Sequence, residues 1–361
     1  MKQTLREAAG SVLVVGLAGT ELTGLERAWL KLIRPCGIIL FRRNIAEATQ
    51  TRALLAEATS FCTPANMRCV DIEGGTVDRL RDAVAPMPSA QAVASTGSQK
   101  LMRQHGELIA REALAYGFNT TLAPVLDLAL PASATVMGTR AAAASPQGVT
   151  EYVRAFLSGL EAHGVIGCGK HFPGLGGGTL DSHHATPEIQ RTFRELWNED
   201  LVPYRELVKE LPMVMVNHAA FPRTRSGILP ATASPYWPTT VLQKQIGYKG
   251  LIFSDDLEMG GILNFAPMEE AAILALRAGI HILEICHSPE LILRCYESLI
   301  REAERSASFR NLLLERASAG TRLRKKRFSQ PPSRALSAKQ RDKLREQVLD
   351  FRTAVEKVQK P

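Results

Sequence analysis

The chain is defined first by what it lacks. No apolar run among its 361 residues is long enough to cross a bilayer, which argues against a transmembrane helix. The first apolar run, 11–17, is short and ends in Ala-Gly-Thr-Glu, so it reads as an opening strand rather than a signal peptide. The six cysteines (Cys36, Cys62, Cys69, Cys168, Cys286, Cys295) form no Cys-x-x-Cys pair, and several lie in apolar runs. They read as reduced, buried thiols, and a cytoplasmic location is expected. No His-Glu-x-x-His helix is present and the first strand has no His-x-His pair, which argues against a metal-dependent barrel hydrolase built on His171, His183, His184, His218, His287 and Asp255. No bound metal or cofactor is expected.

A basic body is also missing. The net charge is +8, but residues 322–361 hold 13 Lys and Arg against 4 Asp and Glu. The other 321 residues carry 31 basic and 32 acidic groups, a net of −1. Nothing there implies nucleic-acid binding. No stretch is low in complexity, so disorder is expected only at the C-terminus, and a monomer is expected.

What is present is an alternation of short apolar runs and amphipathic stretches. Candidate strands fall at 12–17, 37–41, 69–73, 120–128, 165–171, 213–218, 250–255 and 280–286. Helical patterns separate them, for example 99–116, 147–163 and 190–209. Eight β-then-α units point to an α/β fold, a TIM-type (β/α)8 barrel over residues 1–321, with an open doubly wound sheet as the alternative. Residues 322–361 form a basic C-terminal helical extension. Ser337 and Gln340 have capping-box spacing, and Leu344, Val348, Phe351, Val355 and Val358 repeat at helical spacing. That pattern predicts an amphipathic helix docked on the barrel.

Polar residues cluster where the strands end. Asp71 ends the third strand, Asp127 the fourth, Lys170 and His171 the fifth, Asn217 and His218 the sixth, and Asp255 and Asp256 the seventh. His287 follows the eighth. If the barrel closes, these groups converge on one mouth, where barrel enzymes keep their chemistry. Residues 170–187 (KHFPGLGGGTLDSHHATP) are the densest part. Asp181 and His183 are two apart, close enough for a carboxylate to orient an imidazole as a proton-transfer pair. His184 has no assigned role. His218 either lines the pocket or satisfies the end of its strand, and Asp256 suits a helix cap better than Asp255 does.

Two motifs carry a resemblance. The first is Lys170-His171-Phe172-Pro173-Gly174 followed by Asp181-Ser182-His183, and the second is Ser254-Asp255-Asp256-Leu257-Glu258-Met259. Together they resemble glycoside hydrolase family 3, in particular its bacterial single-domain β-N-acetylglucosaminidases of peptidoglycan recycling. Val70-Asp71-Ile72-Glu73-Gly74-Gly75 with Arg79, and Gly138-Thr139-Arg140, look like that family's sugar-binding strand and Arg loop. The resemblance implies that Asp255 is the nucleophile, that His183 is the acid/base with Asp181 as its partner, and that Asp71, Arg79, Arg140, Lys170 and His171 hold sugar hydroxyls. The implied substrate is a small carbohydrate or muropeptide.

The chemistry is coherent on physical grounds. Retaining hydrolysis needs a carboxylate on one face of the sugar and a proton donor that later becomes a base. An imidazole beside a carboxylate titrates near neutrality and serves both turns. Glycoside phosphorolysis and a different β-glycoside specificity remain the alternatives. The motif departs from the family at Leu175, where a histidine is usual, and at the triple glycine that follows. Those changes imply either a freer loop or different substrate contacts. A further departure is the Ala-Ala-Ala-Ala-Ser stretch after Arg140.

Overall fold

The computed structural model describes residues 3–178, 186–328 and 333–359. Eight parallel strands make its centre: β1 (Leu13–Gly16), β2 (Gly37–Leu40), β3 (Met67–Val70), β4 (Thr120–Thr121), β5 (Ile166–Gly167 and Gly169–Phe172), β6 (Met213–Val216), β7 (Leu251–Asp256) and β8 (Ile282–Ile285). Each pairs with its sequence neighbours, and β8 pairs back onto β1 through Leu13↔Leu283 and Val15↔Ile285. The first half of β5 pairs with β4 and the second half with β6, the two being separated only by Cys168. The ring is therefore closed and the open-sheet alternative falls away.

Side chains on the strands and directly beside them, Val14, Ile39, Met67, Cys69, Leu122, Cys168, Met213, Met215, Leu251, Phe253 and Ile282, form one buried cluster. Sulfur-bearing and large apolar side chains pack together there. All six cysteines are free and buried, as expected. The outward-facing strand residues join the helix faces in a second, larger core that includes Trp29, Phe156, Trp237 and Tyr296.

The helix Ala307–Arg327 runs across the boundary drawn at residue 321 from charge alone. Charge changes there, but packing does not. Phe309, Leu313, Ala317 and Arg324 of this helix are buried, and Arg324 Nη1 donates to the Ser11 carbonyl at 3.1 Å. The last helix, Ala338–Gln359, begins at the expected capping box, with Ser337 N donating to Gln340 Oε1 (2.9 Å) and Gln340 N to Ser337 Oγ (3.3 Å). Leu344, Val348, Phe351 and Val355 are buried, and Phe351 stacks on His105 of the helix Gln99–Ala115. Val358, the last member of the predicted stripe, is exposed.

Candidate active site

The C-terminal ends of the strands form a polar mouth, and a cavity of about 410 Å³ opens there. Asp71, Arg79, Lys170 and Asp255 all line it. The first three hold one another: Lys170 Nζ lies 2.9 Å from Asp71 Oδ1, and Arg79 Nη2 lies 3.7 Å from Asp71 Oδ2. Arg140 and His171 sit beside this group and are joined to it through Glu73. Arg140 donates to Glu73 from Nε (2.8 Å) and Nη2 (2.9 Å), Lys170 Nζ lies 2.6 Å from Glu73 Oε1, and Arg140 Nη2 lies 3.3 Å from His171 Nε2. Five residues expected to hold sugar hydroxyls are thus one connected network. Asp181 and His183, with Ser182 and His184, lie outside the described residues.

Two members of the network had been given no role. Glu73 is buried and bridges both cations, and Asp127 accepts His171 Nδ1–H at 2.6 Å, His171 N at 3.2 Å and Leu175 N at 2.6 Å. The signal for Glu73 was present in the Asp-Ile-Glu spacing. Alternate residues of an extended segment share a face, so Glu73 follows Asp71 toward the same cations. Asp127 was visible as a polar strand end, but its partners come from a segment more than forty residues away in sequence.

The charges are tuned by this packing. Burial alone would raise the Glu73 carboxyl, but the Arg140 and Lys170 ion pairs hold it well below the usual carboxylate range. The same pairing overcomes burial of the Lys170 ammonium and raises its pKa. At Asp255 burial again opposes ionisation, and His171, His218 and Lys170 together outweigh it and lower its pKa. The Asp256 N–H adds a hydrogen bond to Asp255 Oδ1 at 3.0 Å. Asp255 is thus an anion, partly accessible, that lines the cavity.

His218 proves to be a support. It is fully buried, its Nδ1 lies 2.9 Å from Thr232 Oγ1, and its Nε2 donates to the Asp256 carbonyl at 3.0 Å. Burial lowers its pKa, and the ring braces the end of β7. Asn217 donates to the His171 carbonyl at 2.9 Å and accepts from Ala219 N at 2.9 Å. Asp256 caps the turn after β7 by accepting from Glu258 N at 3.0 Å.

The segment after His171 is not slack in its described part. Leu175 is buried in the outer core. A Cβ on Gly176 would lie 2.7 Å from the Leu128 carbonyl oxygen, on Gly177 2.8 Å from Arg191 Cδ, and on Gly178 2.9 Å from Ile189 Cδ1. The triple glycine permits close packing, which corrects the expectation of a freer loop over residues 175–178.

A closed barrel with an ionised carboxylate and a cation–carboxylate frame around a polar cavity at its C-terminal mouth is that of a barrel enzyme for polyhydroxylated substrates. Comparison with known proteins agrees. Residues 4–310 match the Glycosyl hydrolase family 3 N terminal domain. A β-hexosaminidase of Methylococcus capsulatus is 37% identical over 300 residues, covering 82% of this chain and 89% of that protein. A family 3 β-N-acetylglucosaminidase from a Paenibacillus strain superposes with a TM-score of 0.86 at 29% identity, over 96% of this chain and 68% of that one. NagZ from Neisseria gonorrhoeae, in complex with N-trifluoroacetyl-D-glucosamine, superposes with a TM-score of 0.72 at 30% identity, over 86% and 98%. The chain belongs to glycoside hydrolase family 3.

Proposed function

We propose that this glycoside hydrolase is a retaining exo-β-N-acetylglucosaminidase that releases N-acetylglucosamine from peptidoglycan fragments, acting as a monomer in the cytoplasm. The observation that carries the reading is the Asp255 carboxylate, held ionised at the end of β7 in a cavity it shares with Asp71, Arg79 and Lys170. The β-hexosaminidase and β-N-acetylglucosaminidase activities of the relatives support the choice of sugar.

In this reading Asp255 attacks the anomeric carbon as the aglycone oxygen takes a proton from His183, giving a covalent glycosyl-enzyme. His183, oriented by Asp181, then removes a proton from water, which attacks the same carbon and frees Asp255. Asp71, Lys170 and Arg79 give directional, charge-assisted hydrogen bonds to the hydroxyls. Arg140 and His171 keep Glu73 and Asp127 satisfied so that Lys170 and the loop start stay in place.

The test is a panel of aryl β-N-acetylglucosaminides with graded leaving groups. Asp255→Ala should lose about a thousandfold or more on every substrate. His183→Ala should lose least with the best leaving groups, which need little protonation. Equal loss across leaving groups would remove His183 from its role. Sugar 1-phosphate formed in phosphate buffer would replace hydrolysis by phosphorolysis.

A further inference from the structure

Three side chains on one wall of the cavity have no part in that reaction. Cys286 and His287 follow β8, and Asp256 ends β7. A carboxylate oxygen, the Cys286 thiol and an imidazole nitrogen lie within 4.8 Å of one another. We propose that Asp256, Cys286 and His287 form a binding site for a soft divalent cation, zinc fitting best, and that its occupancy inhibits the enzyme. The metal-binding half stands apart from the function proposed above, and the inhibition half rests on it.

The donor set is the first argument. Thiolate, imidazole and carboxylate are the usual zinc ligands, and their bond lengths place ligand atoms in a tetrahedral site roughly 3.3–3.6 Å apart. His287 Nδ1 already lies 3.7 Å from Asp256 Oδ2, so only small side-chain movements are needed. The second argument is a missing partner. Glu284, two residues before Cys286 and lining the same cavity, is buried, and its Oε1 has no hydrogen-bond partner. Buried carboxyl oxygens seldom go unpaired. The third is that the imidazole is already turned toward the carboxylates: His287 Nδ1 lies 3.7 Å from Asp256 Oδ2 and 3.1 Å from Glu258 Oε2. Arg43, which lines the same cavity, is already held on the Leu17 and Cys286 carbonyls.

On binding, the Sγ–H proton leaves to solvent, the Nδ1–H that faces Glu258 is given up through solvent so that the ring keeps its hydrogen on Nε2, the thiolate and the Nδ1 lone pair coordinate the ion, and Glu258 keeps its bonds to the His287 and Ser288 backbone amides. Three protein ligands leave one position open. A dication there sits next to the residue bonded to Asp255, withdraws charge from the nucleophile and takes up substrate space.

Cobalt(II) is the direct probe, because a thiolate ligand gives a near-ultraviolet charge-transfer band that needs no turnover to be read. The wild-type chain should show that band at one ion per chain, with zinc displacing the cobalt. Cys286→Ser should abolish the band. His287→Ala, at an exposed position, should weaken zinc binding by about tenfold or more, since even outer-shell partners are worth that much. Asp255→Asn should keep the band. In turnover of an aryl β-N-acetylglucosaminide, zinc should inhibit wild type at lower concentration than His287→Ala, each compared with its own metal-free rate. No band in wild type, a band that survives Cys286→Ser, or binding lost in Asp255→Asn but kept in His287→Ala would overturn the site. A band without turnover would keep the site and remove the proposed function; turnover without a band would do the reverse.

Discussion

Replacing Glu73 by Gln tests the network most directly. Glu73 is buried and takes three short contacts, from Arg140 Nε (2.8 Å), Arg140 Nη2 (2.9 Å) and Lys170 Nζ (2.6 Å). The amide keeps the shape but offers one acceptor oxygen and turns an NH2 toward a cation. Breaking a buried pair by removing one partner costs about 3–5 kcal/mol, because the remaining charge is left uncompensated. The isostere should fall near the lower end, about 3 kcal/mol. Scaled to 361 residues, the unfolding entropy gives a shift of roughly 1.3 °C per kcal/mol, so the thermal midpoint should drop by about 4 °C at pH 7. The pH dependence is the sharper check. The folded-state pKa of Glu73 is depressed, so its contribution is fully present above the unfolded carboxylate value near 4.5 and is lost as pH falls below it. The gap between wild type and Glu73→Gln should therefore be constant from about pH 5.5 to 8 and narrow below about pH 4.5. Scanning calorimetry across this range reads both. A midpoint change under about 1 °C at pH 7, or a gap that widens in acid, would refute the assignment of Glu73 as the ionised bridge.

With Asp255 as the proposed nucleophile, its depressed pKa should place the acid limb of kcat/KM below the ordinary carboxylate range; Lys170→Met removes a cation that favours the anion, so the limb should move to higher pH, and a limb that stays put or moves down contradicts the coupling. Phe351→Ala should cost about 3–5 kcal/mol of docking for the last helix, seen as faster proteolysis beyond residue 333 before the barrel unfolds. Gly176→Ala forces a Cβ against the Leu128 carbonyl and should lower stability by about 1–3 kcal/mol, whereas Gly19→Ala, with open space around it, should leave the thermal midpoint unchanged.

The barrel was legible because its information is local. Each strand is a short apolar run, and each polar group at its end follows directly in the chain, so Asp71, Lys170, His171 and Asp255 could be placed at one mouth before any contact was known. Docking of the last helix was legible for the same reason, through a capping box and a 3.6-residue stripe. Leu175 and the triple glycine misled because a glycine run looks the same whether it is slack or closely packed, and only the position of Leu128, Ile189 and Arg191 separates the two.

The sequence by itself determined the eight-unit pattern, the family motifs and the place of Asp255 at the end of the seventh strand, since these depend on residue type and spacing along one segment. Tertiary structure alone decided closure through the two halves of β5, the bridging role of Glu73, the hold of Asp127 on His171, and the meeting of Asp256 with Cys286 and His287. Those are pairings between segments tens of residues apart. Their strength is set by burial and by angstrom-scale distance, and neither quantity exists until the ring has closed.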